Sequence, residues 1–289
     1  MKKNSKLYAL LCVLILLLSV DIFLVRLDIK HSENLLTFAV LDVGQGDALF
    51  IEAPSGAQIM FDMGPARKVL APLSRVMSPF DRTIDALVIT NPDADHIGGG
   101  MDILKNYDVN FVFESGTQNS SKTFRNLKSE IQNKKIPDIL VRKGMRINLG
   151  GGAVIDILFP DQDVSSWSTN DGSVVARLSY GETSIMLTGD ATSKTEKIIL
   201  ADTQASEIRS TILKVGHHGS RSSTSYPFVK AVGPVYALIS SGKGNTYGHP
   251  HQEVLKTLES ARVKILRTDQ RGTIIVKSDG SMLRWQYER

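Results

Sequence analysis

Asn91, Asp93, Asp95 and His96 fall within six positions of Thr90-Asn91-Pro92-Asp93-Ala94-Asp95-His96, and the chain then runs into Ile97-Gly98-Gly99-Gly100. Two carboxylates, an imidazole and an amide can converge on one point over so short a stretch only if the backbone turns tightly, which the glycines permit. Carboxylate oxygen mixed with imidazole nitrogen is a donor set for a hard or borderline divalent ion such as manganese, zinc or iron. Alone, an Asp-x-Asp-His beside Pro and Gly would read as turn and helix-cap chemistry. It has company in Thr188-Gly189-Asp190, Gly216-His217-His218-Gly219-Ser220 and Gly248-His249-Pro250-His251, so five of the six histidines sit in three short glycine-flanked segments. Each segment follows an apolar run. The only cysteine is Cys12, in an N-terminal apolar stretch, which removes a disulfide framework and a thiolate metal site and leaves oxygen and nitrogen ligands.

Such segments need strands to deliver them. Residues 84–89 read as a short buried strand, and polar residues just beyond a strand are where an α/β layered protein places its chemistry. Residues 38–41, 48–52 and 58–61 read as a β-meander whose loops carry Asp42, Asp47 and Asp62 as turn or cap residues. Asp62 ends a strand and is placed to support the site. Further strands are expected over 110–113, 154–159, 174–179, 183–187, 210–215, 235–240, 263–267 and 272–276, the last two completing the count. Helical stretches are expected over 69–78, 101–106, 120–134 and 194–201. Strands in both halves, each half with its own helices, imply two sheets packed face to face with helices outside.

Length 289 with 42% hydrophobic and 22% charged residues describes a globular chain able to bury a large core. The formal net charge of +4 is a mild basic bias compatible with an anionic substrate. Lys122, Arg125, Lys128, Lys134, Lys135, Arg142, Lys143 and Arg146 form either a solvated face or a phosphate-tracking patch. Lys2, Lys3 and Lys6 precede an apolar run from Leu7 to Val20 that resumes at Ile22 to Val25, the pattern of an uncleaved signal anchor or a cleaved signal peptide. Residues 1–25 are therefore expected as a transmembrane or signal helix, 26–35 as a tether and 36–289 as the functional domain, outside the cell membrane or secreted.

Taken in order, Leu41-Asp42-Val43-Gly44-Gln45-Gly46-Asp47, Asn91-Pro92-Asp93-Ala94-Asp95-His96, Thr188-Gly189-Asp190, Gly216-His217-His218-Gly219-Ser220 and Gly248-His249-Pro250-His251 resemble the metallo-β-lactamase-fold hydrolases. The likeness is in particular to the ComEC-like extracytoplasmic domain of DNA-uptake proteins. It implies a four-layer αββα sandwich with a site for one or two divalent ions, manganese or zinc. Against the superfamily pattern H-x-H-x-D-H, Asp95 and His96 match, Asp93 is the ComEC-like substitution for histidine, and Asn91 departs from both. Asp190 matches the bridging acidic ligand. His217 matches the last metal histidine, with His218 the alternative ligand or a substrate contact. Asn170 stands about where true lactamases carry a ligand histidine, which argues against lactam cleavage. His249 and His251 match a group-specific segment and are assigned to phosphate binding or leaving-group protonation, and Ser220 and Asp62 to support around the site.

The implied chemistry is metal-assisted hydrolysis, in which Asp95 orients the attacking water and a histidine protonates the departing alkoxide. The expected function is a phosphodiesterase or nuclease acting on extracellular nucleic acid, with DNA as substrate, the membrane as anchor and DNA-uptake machinery as partner. Two alternatives stay open. One is a phosphodiesterase of a cell-envelope polymer such as phosphocholine-bearing teichoic acid. The other is a catalytically degenerate binding module.

Overall fold

The computed structural model describes residues 11–20, a helix (α1), and 35–288. Most of the expected anchor (1–25) and tether (26–35) lies outside the described residues. Among the described residues no helix is long and apolar enough to cross a membrane.

The first half of the domain runs β1 (Leu36–Val40), β2 (Leu49–Glu52), β3 (Gln58–Phe61), α2 (Leu70–Val76), β4 (Thr83–Ile89), α3 (Ala94–Ile97), α4 (Gly100–Asn106), β5 (Asp108–Glu114), α5 (Lys122–Asn133) and β6 (Asp138–Leu140). The second runs β7 (Arg146–Gly150), β8 (Ala153–Phe159), β9 (Val175–Tyr180), β10 (Thr183–Leu187), α6 (Ser193–Asp202), α7 (Ala205–Ile208), β11 (Ile212–Lys214), a 3-10 turn at Gly216–Gly219, α8 (Tyr226–Val232), β12 (Tyr236–Ile239), α9 (Gln252–Ser260), β13 (Lys264–Arg267), α10 (Thr268–Arg271), β14 (Thr273–Ser278) and β15 (Leu283–Glu288). They form an eight-stranded sheet in the order β15-β14-β1-β2-β3-β4-β5-β6 and a seven-stranded sheet in the order β13-β12-β11-β10-β9-β8-β7.

The two-residue period of a strand sorts each apolar run into layers. Phe38, Val40, Ile59, Phe61 and Val88 meet Ile185, Leu187, Ile212 and Leu238 between the sheets. Their strand neighbours Ala39, Met60, Leu87 and Ile89 face outward against Ile103, Leu104, Phe124, Leu127 and Ile131. On the far side Met186, Leu213, Ala237 and Ile239 pack under Ile199, Phe228, Val229, Val254 and Leu258. Strands covered on both faces read as near-continuous apolar segments, which is why they are visible in the sequence. In α5, Phe124, Leu127 and Ile131 recur at helical spacing on the buried side, and the Ser121 hydroxyl accepts the Phe124 N–H to cap the first turn. The result is the expected αββα arrangement.

Three strands go beyond the expected count. β6 and β7 are edge strands, and β15 carries Leu-Arg-Trp-Gln-Tyr-Glu with half of its residues exposed. All three have residues that alternate with exposed positions, so their apolar signal is weak. β14 also returns to the first sheet, pairing antiparallel with β1 so that Phe38 lies opposite Val276.

The basic set is in part spent locally. Lys128 pairs with Glu114 at 2.9 Å and with Asp138, Lys143 with Asp202 at 2.7 Å and Arg146 with Asp156 at 2.6 Å.

β3 and β4 run parallel, as do β10, β11 and β12. Asp62, Thr90, Thr188, Val215 and Ser240 each follow the last residue of one of these strands. The loops leaving these carboxyl ends carry most of the chemistry-bearing residues, the usual edge for a site in an open α/β sheet.

Candidate metal centre

Asp62 leaves β3 with φ 58° and accepts the Thr90 N–H (2.8 Å) and the Thr90 hydroxyl (2.6 Å). Its Oδ2 also lies 2.7 Å from His96 Nδ1, which directs the other ring nitrogen, Nε2, to within 3.1 Å of Asp190 Oδ2. A carboxylate holding the back of an imidazole in this way fixes the tautomer and orientation that a metal needs. The loop 42–47 locks over the same segment: the Asp47 N–H donates to the Asp95 carbonyl (3.2 Å), the Gly64 N–H to the Asp47 carbonyl (2.7 Å) and the Met63 N–H to the His96 carbonyl (2.6 Å). At Gly46, with φ 131°, a Cβ would collide with the Asp95 carbonyl oxygen. Gly46→Ala is therefore expected to destabilise the domain by about 1–3 kcal/mol, the range for overpacking, and to weaken metal uptake by displacing Asp95. Thermal unfolding and elemental analysis check this, and wild-type values in both would show that the two loops move independently.

After β11 the backbone enters two consecutive left-handed residues, His217 (φ 47°, ψ 46°) and His218 (φ 53°, ψ 21°). For non-glycine residues such conformations cost on the order of 1–3 kcal/mol each and persist where the surroundings impose them. Both rings turn towards Asp190, with His218 Nε2 at 3.5 Å and His217 Nε2 at 3.7 Å from its Oδ2. His218 also stands 3.3 Å from Asp95 Oδ2 through Nε2 and 3.3 Å from Asp47 Oδ1 through Nδ1. His217 Nδ1 is 2.9 Å from the Ser222 hydroxyl, which donates to Ser220 Oγ at 3.0 Å. Ser220 thus reaches the centre through Ser222. Beneath the cluster Lys214, wholly buried, donates from Nζ to Asp47 Oδ2 (2.6 Å) and to the Val215 carbonyl (3.0 Å).

Ligand atoms of Asp95, His96 and His218, of Asp47, Asp190 and His218, and of Asp47, Asp62 and His96 form three overlapping groups, each within 4.8 Å. Asp47 Oδ1, His96 Nε2, Asp190 Oδ1 and both ring nitrogens of His218 are buried without a hydrogen-bond partner. They lie near one another but are not aligned as donor and acceptor. Each such orphan costs about 1–3 kcal/mol, so the cluster is organised for something other than its own hydrogen bonds. A divalent cation with oxygen and nitrogen ligands fits that donor set.

Electrostatics agrees. Burial opposes ionisation of Asp190, but His218 and His96 outweigh it and hold the carboxyl far below the usual range. Burial likewise opposes the charged imidazoles, yet Asp190 and Asp47 push His218 up to about 10, and Asp190 and Asp62 raise His96 well above its ordinary value. Asp47 is held low against its own burial by Lys214 and His218, whereas for Asp62 burial prevails and raises it. In the metal-free chain two imidazolium protons thus occupy the place of a cation. Metal ligation requires neutral imidazole, so adding manganese or zinc at pH 7.5 in weak buffer is expected to release more than one proton per chain, with affinity rising with pH. The sign for stability is opposite. His218, raised from about 6.5, supports the metal-free fold fully below about that pH and stops doing so as pH rises through about 10. Titration calorimetry in buffers of different ionisation enthalpy reads the proton count, and zero release would contradict the protonated state.

Asp93 is in none of the three groups of converging carboxylate and imidazole atoms, and it and Asn91 are tied to each other and to neighbouring loops. Asn91 Oδ1 accepts the Asp93 N–H (2.9 Å) and its amide faces the Ser173 hydroxyl (3.4 Å). Asp93 accepts from the Asn119 amide (2.9 Å) and the Thr169 hydroxyl (2.8 Å). Asn170 follows Thr169, and its buried Oδ1 has no hydrogen-bond partner. His249 and His251 are half-buried beside the cluster. The His249 ring centroid lies 5.6 Å from that of His217 and 4.9 Å from that of His251, with Nδ1 3.3 Å from the Gln45 amide. Burial and the neighbouring histidines bring His249 down to about 4, so in the metal-free chain it is an uncharged hydrogen-bonding group at neutral pH. His251 Nδ1 accepts the Arg221 N–H at 3.1 Å.

Asp47 and Lys214 are not in the site as read from the sequence. Asp47, expected as a turn residue, is buried and faces His218. The available signals were a carboxylate closing a Gly-x-Gly turn and a lysine inside the apolar run before Gly216, where a charge is expected only if paired.

The chain is 33% identical over 259 residues to ComE operon protein 3 of Bacillus subtilis strain 168, covering 81% of this chain and 32% of that protein. It is 26% identical over 243 residues to Competence protein ComA of Neisseria gonorrhoeae, covering 84% and 32%. It spans about a third of the length of these relatives. Among solved structures, Igni18, a metallo hydrolase from Ignicoccus hospitalis, shares the fold at 15% identity with a TM-score of 0.52, covering 83% of this chain and 98% of that one. Residues 41–243 match the family model for the metallo-beta-lactamase superfamily, and the chain belongs to that superfamily.

Proposed function

We propose that this metallo-beta-lactamase superfamily hydrolase is a phosphodiesterase that cleaves nucleic acid outside the cell, held at the membrane by its N-terminal segment. The carrying observation is the set of buried, unpartnered carboxylate and imidazole atoms of Asp47, His96, Asp190 and His218, with the partly exposed Asp95 carboxylate converging on them and His249 against His217 and His218. The competence proteins among its relatives support DNA as the substrate and DNA uptake as the setting, and the mild basic excess is compatible with a polyanion.

Asp95, His96, Asp190 and His218 would hold the ion with His217 beside them, and Asp47 and Asp62 orient the histidines from behind. Bound there, a divalent ion supplies Lewis acidity that brings the pKa of water towards 7 and offsets negative charge on phosphoryl oxygen. The chain's own groups do the rest. Asp95, about a third exposed and held ionised against its burial by His218 and His96, accepts a hydrogen bond from the attacking water and orients it. His249 hydrogen-bonds a non-bridging phosphoryl oxygen. His251, whose Nδ1 accepts the Arg221 N–H, delivers a proton to the departing alkoxide from its other ring nitrogen.

The test is metal content of the full chain together with hydrolysis of bis-p-nitrophenyl phosphate and of single-stranded DNA after loading with manganese or zinc. Turnover of both substrates is expected. A folded, metal-loaded protein that cleaves no phosphodiester would refute the proposal.

A further inference from the structure

Tyr247 is 65% exposed on the loop between β12 and α9, yet it is not loosely held. The Asn245 side chain ties the loop, its amide donating to the Gly242 carbonyl (2.9 Å) and the His249 carbonyl (2.6 Å) while its Oδ1 accepts the His249 N–H (3.0 Å). Gly242 in turn donates to Gln45 Oε1 at 3.3 Å, and the same glutamine's amide lies against His249 Nδ1 at 3.3 Å. The loop is thereby fastened to the segment that carries Asp47. On this support the phenol ring of Tyr247 stacks on His249, 5.7 Å between centroids and 23° between planes. His249 is itself 5.6 Å from His217 and 6.3 Å from His218, so a single ring separates the exposed aromatic face from the metal cluster.

A fixed aromatic face one ring away from the metal cluster is the equipment of a single-strand platform, on which the ring stacks a base. We infer that Tyr247 stacks the unpaired nucleobase flanking the phosphodiester at the metal centre, so that the substrate is single-stranded nucleic acid. The inference rests on the phosphodiesterase reading above and adds the identity of the flanking group. Stacking is indifferent to base identity because every base has a π-face, so the platform selects unpaired strands without selecting sequence. A base held in a duplex is already stacked and unavailable to the ring, so duplex cleavage is slow except at frayed ends.

The experiment compares oligothymidylate with an equally long phosphodiester chain of abasic residues, using the full, metal-loaded chain and its Tyr247→Ala and Tyr247→Phe variants. Tyr247→Ala is expected to lower kcat/KM for oligothymidylate about 10- to 100-fold, mostly through KM, the range for loss of one base-aromatic stack. The same variant is expected to leave the abasic chain cleaved at the wild-type rate, and Tyr247→Phe to retain most activity on both. Equal losses on both substrates would assign Tyr247 to holding the loop, and no loss on either would remove it from the substrate path; each result overturns the inference with the phosphodiesterase reading intact. Wild-type protein that turns over bis-p-nitrophenyl phosphate but neither oligomer would overturn the nucleic-acid reading and this inference with it.

Discussion

Asp190→Asn is expected to empty the metal centre and to lower phosphodiester turnover by at least about 100-fold with the fold preserved. One oxygen of Asp190 lies 3.1 Å from His96, 3.5 Å from His218 and 3.7 Å from His217, so a single carboxylate oxygen faces all three imidazoles. The isosteric amide keeps the shape and removes the charge. It also removes the leading attraction that raises both His96 and His218, so part of the loss in metal affinity is offset by easier deprotonation. The net effect remains large, because replacing even the groups that merely orient metal ligands costs roughly 10- to 100-fold. Asp93→Asn, whose carboxylate accepts from Asn119 and Thr169 instead, is expected to cost less. Metal content and turnover of the two variants decide the matter, and stoichiometric metal in Asp190→Asn would move the centre away from Asp190.

Lys214→Met is expected to be the more destructive change for the fold. The Lys214–Asp47 pair is essentially inaccessible, 0% and 1% exposed at the side chains, with 2.6 Å between nitrogen and oxygen. Removing one partner of a buried ion pair strands the other charge and costs about 3–5 kcal/mol. In a domain of this size that is a fall of roughly 10 °C in Tm. In the metal-free protein His218 shares the Asp47 carboxylate and absorbs part of the loss, so the variant is expected to retain His218 protonation to still higher pH. Lys214→Met/Asp47→Leu is expected to recover most of the stability, since an apolar pair of similar volume often replaces a buried ion pair without loss. It is not expected to recover metal affinity, because Asp47 orients His218. Urea unfolding of both variants alongside metal titration separates the two roles. A single variant as stable as wild type would show that Asp47 is compensated from elsewhere.

How much of this was legible in the chain depends on distance along it. Asp95 and His96 are neighbours on one turn, and His217 and His218 on another, so short spacing and flanking glycines expose them. The layered architecture was legible for a similar reason, since β4 and β11 are covered on both faces and spell out apolar runs. Edge strands such as β15, half exposed, do not. The chain ending at β15 also re-enters the first sheet through β14 and β1, a pairing between Phe38 and Val276 that no local pattern encodes.

The amino-acid sequence by itself determined the donor chemistry: with Cys12 the only thiol, and aspartates and histidines gathered beside glycines at strand ends, a metal here meets oxygen and nitrogen. Tertiary structure alone decided which of those donors share a centre. Asp47 and Lys214 are 167 positions apart, and neither neighbourhood names the other as its partner. Only the packing of the two sheets buries both, and burial turns an ordinary turn aspartate and a strand lysine into an obligatory pair beneath the site. The same packing sets His217 and His218 in left-handed conformations that neither residue prefers and brings Asp190 between them and His96. Residue type follows from local composition. Convergence comes from long-range contacts, whose energy of burial pays for the strain and desolvation the site requires.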